Sequence, residues 1–123
     1  MNAQPSRNTV LVIDDDPLCR EMIAMMAQIR SVPALEASDC REGLEVLERE
    51  HRRIKIILLD YLMPGMKPEQ CIASIIARAG PEIPVVLITA AVDPTARAAE
   101  LKVGRWLSKP FDVEALESLL TKT

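Results

Sequence analysis

Short runs of β-branched and leucine residues recur along the chain between longer segments of helical pattern. The runs are TVLVI, VPALEA, KIILL, PVVLIT and RWLS. Strands that alternate with helical segments indicate βα repeats and a parallel sheet. Three of the runs are apolar at consecutive positions, which is typical of strands covered by helices on both faces. The sequence therefore predicts an α/β fold built from five βα units.

The segments that follow the runs carry helix start signals. Asp16 precedes Pro17, an arrangement typical of an N-cap followed by proline in the first turn. Asp39 and Glu42 have the spacing of a capping box. The remaining three helical segments are KPEQCIASIIARAG, DPTARAAELKVG and DVEALESLLTK. Each of the last two begins at an aspartate that can cap its helix.

Two sets of apolar residues at helical spacing are predicted to face the core. They are Leu18, Met22, Met25 and Ile29 in the first helical segment, and Leu44, Val46 and Leu47 in the second. Because methionine fills irregular gaps in protein interiors, the methionines of the first segment are interpreted as core filler.

The cysteines and the single histidine give no sign of a metal site. Cys19, Cys40 and Cys71 are odd in number, widely spaced and form no C-x-x-C pair. This pattern favours reduced packing thiols over a disulfide or a zinc site. His51 lacks a second ligand in a zinc pattern, so it is interpreted as a solvated residue near a helix end.

Length, composition and charge narrow the class of protein. A chain of 123 residues with 49% hydrophobic and 27% charged residues fits one globular domain. No apolar run is long enough to span a bilayer, and the first residues lack the apolar region of a secretory signal. We expect a flexible lead-in at 1–8 and one cytoplasmic domain over 9–123. The net charge of −3, with one Phe, one Tyr and one Trp, disfavours direct nucleic-acid binding.

Chemically active side chains stand where the predicted strands end. Asp14 and Asp15 follow the first strand, Asp60 ends the third, Thr89 ends the fourth, and the fifth runs into Lys109. Ligands of an open parallel sheet bind beyond the carboxyl ends of its strands. Three carboxylates can lie close together at the edge of the sheet if they bind a hard divalent cation, and Mg²⁺ fits such a site best. A lysine and a threonine beside them can neutralise and orient a phosphoryl group.

The segments VIDDDP, LLDYLMPGM, LITA and SKPF carry a family resemblance. In their order and spacing the sequence resembles the receiver domain of two-component response regulators, in particular chemotaxis-regulator-like members, over nearly the whole chain. The resemblance implies a flavodoxin-like three-layer sandwich with strand order 2-1-3-4-5. It also implies that Asp60 is the phosphoacceptor. Asp14, Asp15, Asp60 and the backbone carbonyl of Leu62 would be the ligands of Mg²⁺.

Further roles follow from the same resemblance. Thr89 and Lys109 would contact the phosphoryl group, and Trp106 would be the aromatic residue that changes rotamer on activation. The Lys109–Pro110 bond is often cis in relatives. The sequence departs from the family pattern at two places. Lys67 and Pro68 replace the usual Asp-Gly, and KVGRWLSKP is shorter than the segment that usually joins the fourth helix to the lysine. The first affects the cap of the third helix and the second the angle between the fourth helix and the fifth strand.

The implied function is signalling. The domain would take a phosphoryl group from a histidine kinase or histidine phosphotransfer protein, catalyse its own phosphorylation, and switch binding to a downstream protein or fused output domain. Membrane binding is not expected. In this family the side chains two residues after the phosphoacceptor and after the threonine flank the attacking water. Here they are Leu62 and Ala91, which cannot orient water by hydrogen bonding, so we expect slow dephosphorylation.

Two alternatives remain open at the level of sequence. Asp14 and Asp16 form a D-x-D pattern, which also suits a small phosphohydrolase with Asp14 as nucleophile and Asp16 as acid. That hypothesis gives Asp60 no clear task. The second alternative is a receiver-like module that binds partners without being phosphorylated.

Overall fold

The computed structural model describes residues 7–63, 65–90 and 105–121, and these contain five strands and four helices. In chain order they are β1 Thr9–Ile13, α1 Pro17–Ile29, β2 Ala34–Ala37, α2 Cys40–Glu50, β3 Ile54–Asp60, α3 Pro68–Ala79, β4 Val85–Thr89, β5 Arg105–Ser108 and α4 Val113–Thr121. The helix expected in DPTARAAELKVG, at 93–104, lies outside the described residues. None of the described helices is long and apolar enough to cross a membrane.

All five strands are parallel and lie in the order β2-β1-β3-β4-β5, which confirms the expected α/β architecture. The register pairs Ile13 with both Ala37 and Leu59, while Thr89 pairs with Ser108. The carboxyl ends of the strands therefore meet along one edge of the sheet, and the residues that follow them are brought together there.

Apolar side chains fill both faces of the sheet. Leu11 and Ile57 point to the side covered by α2 and α3, whereas Val12 and Leu58 point to the side covered by α1 and α4. Every residue of β1 is buried. Consecutive apolar residues are needed in such a strand because successive side chains enter opposite cores. The result is the three-layer sandwich that the family resemblance implied.

The prediction for the buried side of α1 is wrong. Leu18, Met22, Met25 and Ile29 are exposed, while the buried residues of the helix are Cys19, Ile23 and Ala27. The helix carries two apolar stripes, and hydrophobic periodicity alone cannot choose between them. Its start is set by Asp16, whose side chain accepts a hydrogen bond from the Leu18 N–H. The rotation that follows turns the smaller side chains toward the sheet, where the helix can approach closely.

In α2 the corresponding prediction is correct, since Leu44, Val46 and Leu47 are all buried. The Asp39 side chain caps this helix by accepting from the Glu42 N–H at 2.8 Å. His51 follows the helix as its C-cap residue.

The cysteines also differ from expectation. Cys40 and Cys71 form a disulfide with their Cα atoms 6.0 Å apart, while Cys19 is free and buried. Both bonded cysteines are nearly inaccessible. The two cysteines are 31 residues apart along the chain, and this spacing does not indicate that they pair. They meet because α2 and α3 pack side by side, which brings the first turns of the two helices together.

The third helix begins without a side-chain acceptor at its N-cap. Lys67 occupies that position and Pro68 the first turn, where a missing N–H costs nothing. The Gln70 side chain instead reaches back and accepts from the Lys67 N–H at 3.3 Å. The departure seen in the sequence is thus compensated by half of a capping box.

Candidate functional site

Three carboxylates converge at the carboxyl edge of the sheet. Oxygen atoms of Asp14, Asp15 and Asp60 all lie within 4.8 Å of one another. Asp14 and Asp60 are buried and Asp15 is exposed. They meet because β1 and β3 are neighbours in register, so residues that end the two strands lie side by side. We call this group, together with Lys109, the acidic mouth.

Backbone hydrogen bonds continue the sheet ladder into the acidic mouth. They run from the Asp14 N–H to the Ala37 carbonyl (3.0 Å), from the Tyr61 N–H to the Ile88 carbonyl (2.8 Å), and from the Lys109 N–H to the Thr89 carbonyl (2.9 Å). The main chain that carries the functional side chains is therefore held by the sheet and not by loops alone.

Lys109 supplies the positive charge. Its Nζ lies 2.9 Å from Oδ2 of Asp14 and 3.5 Å from Oδ2 of Asp60. Burial by itself would lower the pKa of Lys109, but the contact with Asp14 and the charge of Asp60 raise it. The ammonium group therefore stays protonated at neutral pH. The peptide bond that follows it, Lys109–Pro110, is cis, as the resemblance implied.

The two buried carboxyl groups have different proton affinities. Burial and the negative charge of Asp14 raise the pKa of Asp60 to about 7. Burial acts in the same direction on Asp14, but the Cys19 thiol, the Asp16 N–H and Lys109 outweigh it and lower the pKa of Asp14. The Asp16 N–H donates to Asp14 Oδ1 at 3.0 Å. Asp14 is thus the more stable anion of the two, and a further cation would favour the charged form of Asp60.

Two residues at the site were not identified from sequence. Arg20 Nη1 donates to the Asp14 carbonyl at 2.7 Å, and its Nε lies 3.6 Å from Oε1 of Glu36 on β2. Cys19, interpreted as a packing thiol, also contacts the Asp14 carboxylate. Burial, and next this contact, raise the pKa of Cys19 to about 12. Both lie one turn into α1 and point back toward the strand end. Neither belongs to a motif, so only the helix rotation could have shown them.

The donor set fits a hard divalent cation. It consists of oxygen atoms alone, two of the three carboxylates are buried, and their spacing permits several of them to reach one ion. Mg²⁺ takes such ligands and retains some of its waters, for which the exposed Asp15 leaves an open side.

The remaining predicted residues lie around this group. Thr89 is buried at the end of β4, and Trp106 on the edge strand β5 is 40% exposed. Trp106 pairs with Leu87 as Ser108 pairs with Thr89, so Trp106 and Thr89 belong to the same face of the sheet. Leu62, at 67% exposure, stands in the loop after β3. Ala91 lies outside the described residues.

Comparison with known proteins agrees with this architecture. Residues 10–121 match the response regulator receiver domain. The heme response regulator HssR of Staphylococcus aureus is 32% identical over 86% of this chain and 46% of its own length. The phosphate regulon transcriptional regulatory protein PhoB of Pseudomonas aeruginosa is 29% identical over 94% of this chain and 52% of its own length. The chain thus spans about half the length of these relatives.

Solved structures give the same result for the fold. A response regulator receiver protein from Pseudomonas putida superposes with a TM-score of 0.82 at 25% identity, covering 95% of this chain and 98% of the other. The chemotaxis protein CheY4 of Vibrio cholerae has a TM-score of 0.80 at 24% identity, covering 93% and 96%. With a matching sequence over residues 10–121 and the same fold, this chain belongs to the response regulator receiver domain family of two-component systems.

Proposed function

We propose that Asp60 accepts a phosphoryl group from a histidine kinase or a histidine phosphotransfer protein in a reaction that requires Mg²⁺. The supporting observation is the acidic mouth, where Lys109 Nζ lies within 3.5 Å of an Asp60 oxygen beside an all-oxygen donor set. In the reaction a carboxylate oxygen of Asp60 forms the new P–O bond, the P–N bond to the donor imidazole breaks, and that imidazole leaves as a neutral ring after protonation.

Each residue of the acidic mouth would have a separate role in the phosphoryl transfer. Asp14, Asp15, Asp60 and the Leu62 carbonyl would hold Mg²⁺, which when bound supplies positive charge to the transferring phosphoryl oxygens. Lys109 already carries its charge close to the reacting carboxylate and would follow the phosphoryl group. Thr89 would donate its hydroxyl to a phosphoryl oxygen. Charges and donors placed in this way lower the activation barrier of phosphoryl transfer mainly by positioning the phosphoryl group and stabilising its charge.

The phosphohydrolase alternative is disfavoured by the position of Asp16. That mechanism needs the Asp16 carboxyl as a proton donor, but its Oδ1 accepts a hydrogen bond from the Leu18 N–H at 3.0 Å as the cap of α1. Asp16 is thus engaged as a helix cap, and the carboxylate cluster is formed by Asp14, Asp15 and Asp60 without it. Asp60, with its raised pKa, is the group that a cation would convert into a nucleophile.

Incubation with acetyl phosphate tests the proposed function. The intact mass is expected to show one added phosphoryl group with Mg²⁺ and none with EDTA. Asp16→Asn is the matched control and should label normally, because asparagine also caps helices well. A label that maps to Asp14 would support the phosphohydrolase, and an unlabelled wild-type protein would support the binding-only module.

Phosphorylation is proposed to act through Thr89 and Trp106 by shifting the population between two conformations. The partner would be a downstream protein target or a fused output domain, in the cytoplasm where the kinase has ATP. If Thr89 moves toward the phosphoryl group, the half-exposed Trp106 on the same face can turn inward. Trp106 is the single tryptophan, so its fluorescence reports this movement.

With Mg²⁺ and beryllofluoride, we therefore expect a changed emission maximum and weaker quenching by acrylamide. The Thr89→Ala variant should show a smaller change. The Asp60→Asn variant, which cannot bind the phosphoryl mimic, should show none. Unchanged emission and unchanged quenching in the wild type would exclude Trp106 as part of the switch.

Slow dephosphorylation is proposed from the residues at positions 62 and 91, which the resemblance to receiver domains implies are the ones beside the phosphoryl group. Leu62 and Ala91 cannot hold a water in line by hydrogen bonding, so a Leu62→Asn, Ala91→Glu double variant should lose its phosphoryl group about tenfold faster. The half-life of the phosphorylated protein measures this. Met66→Asn, an exposed change in the same loop, is the control, and equal half-lives in all three proteins would contradict the proposal.

A further inference from the structure

The turn between β1 and α1 carries two of the three carboxylates of the acidic mouth, and the fold holds them in different ways. The Asp14 carboxylate is buried and lies in contact with Lys109. The Asp15 side chain is exposed, although one of its oxygens lies within 4.8 Å of oxygens of Asp14 and Asp60. The placement of the Asp15 carboxylate therefore depends more strongly on the main chain that carries it.

Three hydrogen bonds hold that main chain on both sides of Asp15. The Asp14 N–H donates to the Ala37 carbonyl at 3.0 Å, and the Asp16 N–H donates to Asp14 Oδ1 at 3.0 Å. The third bond runs from Arg20 Nη1 to the Asp14 carbonyl at 2.7 Å, so it acts on the peptide unit that joins Asp14 to Asp15. Because a peptide unit is planar, a bond that fixes its carbonyl oxygen also orients the Cα atom of the following residue.

Arg20 is itself held in place by α1 and β2. Its N–H donates to the Asp16 carbonyl at 3.1 Å in the first turn of α1, and helix side chains point back toward the N-terminus. Its Nε lies 3.6 Å from Oε1 of Glu36, the residue of β2 that precedes Ala37. A guanidinium group can serve the carbonyl and the carboxylate together because its N–H donors form a planar fork. The turn is thus tied to β2 through the Asp14 N–H and, by way of Arg20, through the Asp14 carbonyl.

The positive charge of Arg20 does not explain a contribution to metal binding. Like charges repel one another, so a guanidinium group beside the donor set opposes the approach of a cation. A gain in metal affinity from Arg20 must therefore come from the geometry that it imposes. The sign of the effect on removal of Arg20 separates these two influences.

We propose that Arg20 is a positioning residue for divalent-cation binding. By holding the peptide unit between Asp14 and Asp15, it keeps the Asp15 carboxylate within reach of the ion that Asp14 and Asp60 also bind. This inference rests on the proposed function, because it takes these three carboxylates as the Mg²⁺ site. Groups that orient metal ligands typically raise metal affinity by roughly 10- to 100-fold.

Titration with Mn²⁺ followed by electron paramagnetic resonance tests the inference without any phosphoryl transfer. Mn²⁺ takes the same oxygen ligands as Mg²⁺, its free concentration is read directly, and competition with Mg²⁺ then gives the Kd of Mg²⁺. Arg20→Ala should weaken the binding of both ions by about tenfold or more, whereas loss of a nearby positive charge alone would strengthen it. Arg20→Met, which keeps an apolar stem without the donors, should weaken it by the same factor. Arg41→Ala removes an exposed positive charge from the first turn of α2 and is the matched control, expected to bind as the wild type does.

Labelling by acetyl phosphate gives an independent readout. In Arg20→Ala the Mg²⁺ concentration for half-maximal labelling should rise by about the same factor as the Kd, and by more than the maximal rate falls. Thermal unfolding in EDTA shows whether each variant is folded.

Unchanged or tighter Mn²⁺ binding in folded Arg20→Ala overturns the inference, and it leaves the proposed function standing if the wild type binds Mg²⁺ and is labelled. Wild-type affinity in Arg20→Met also overturns it, because the effect then comes from packing of the stem and not from the hydrogen bond. A wild type that binds neither ion overturns the inference and the proposed function together.

Discussion

Replacing Asp60 with asparagine is expected to abolish incorporation of a phosphoryl group, lowering the yield from acetyl phosphate by at least about 100-fold. The amide has nearly the same size and still fits beside Asp14 and Lys109, but it is not a nucleophile. Intact mass after a time course in Mg²⁺ gives the yield for both proteins. Lys109→Ala and Asp15→Asn should reduce the rate without moving the label, since each removes charge compensation and leaves the acceptor.

The decisive comparison is between Asp60→Asn and Asp14→Asn. Asp14 lies in contact with Lys109 and has a lowered pKa, so it is the carboxylate whose charge is most strongly held in place. If Asp14 were the acceptor, Asp60→Asn would still label and Asp14→Asn would not. The opposite pattern, with Asp60→Asn unlabelled and Asp14→Asn labelled slowly, is the one we expect.

The Asp60→Asn substitution should also stabilise the protein when no divalent metal is present. The pKa of Asp60 is raised from 3.8 to about 7, so the folded state binds the proton more tightly than the unfolded state does. This contribution to stability is complete below pH 3.8 and is lost as pH rises through about 7. A tenfold change in proton affinity corresponds to ~1.4 kcal/mol. Since the mouth can relax, we expect Asp60→Asn to gain about 1 to 3 kcal/mol at pH 8.

Thermal unfolding in EDTA across pH 4 to 8.5 measures this difference. The variant and the wild type should be close at pH 4, and the gap should widen to about 5 to 10 °C above pH 7. Adding Mg²⁺ should narrow it, because the ion stabilises the three carboxylates of the wild type. Asp39→Asn, which keeps a capping side chain on α2, is the control for loss of a carboxylate elsewhere. A gap that does not change with pH would show that repulsion in the mouth is not its cause.

Much of the fold could be predicted because local signals and topology agree. The strand runs contain consecutive β-branched residues, and Asp16, Pro17 and Asp39 fix the starts of α1 and α2. The site was accessible for the same reason. In a parallel sheet the ends of all strands lie on one edge, so Asp14, Asp15, Asp60 and Lys109 could be brought together without knowing any distance.

What could not be predicted depends on rotation and on contacts between helices. Periodicity showed that α1 has an apolar face but did not show that it has two, and the wrong one was assigned to the core. The pairing of Cys40 with Cys71 depends on how α2 packs against α3, and nothing in the intervening residues encodes it. Arg20 was not predicted because it contacts the site through a hydrogen bond to a backbone carbonyl and a neighbouring strand through an ion pair with Glu36, and no residue pattern encodes these contacts.

The extension of the sheet ladder through Asp14, Tyr61 and Lys109 has a consequence for how the domain opens. Proteins open in cooperative units, and central strands belong to the unit that requires the full free energy of unfolding. Fraying of α4 or movement of the loop after β3 therefore leaves Asp14 and Asp60 facing each other. The repulsion between these carboxylates is therefore released in full only when the sheet itself comes apart. A cation that neutralises them would accordingly slow exchange of the most protected amides in the core, far from the place where it binds.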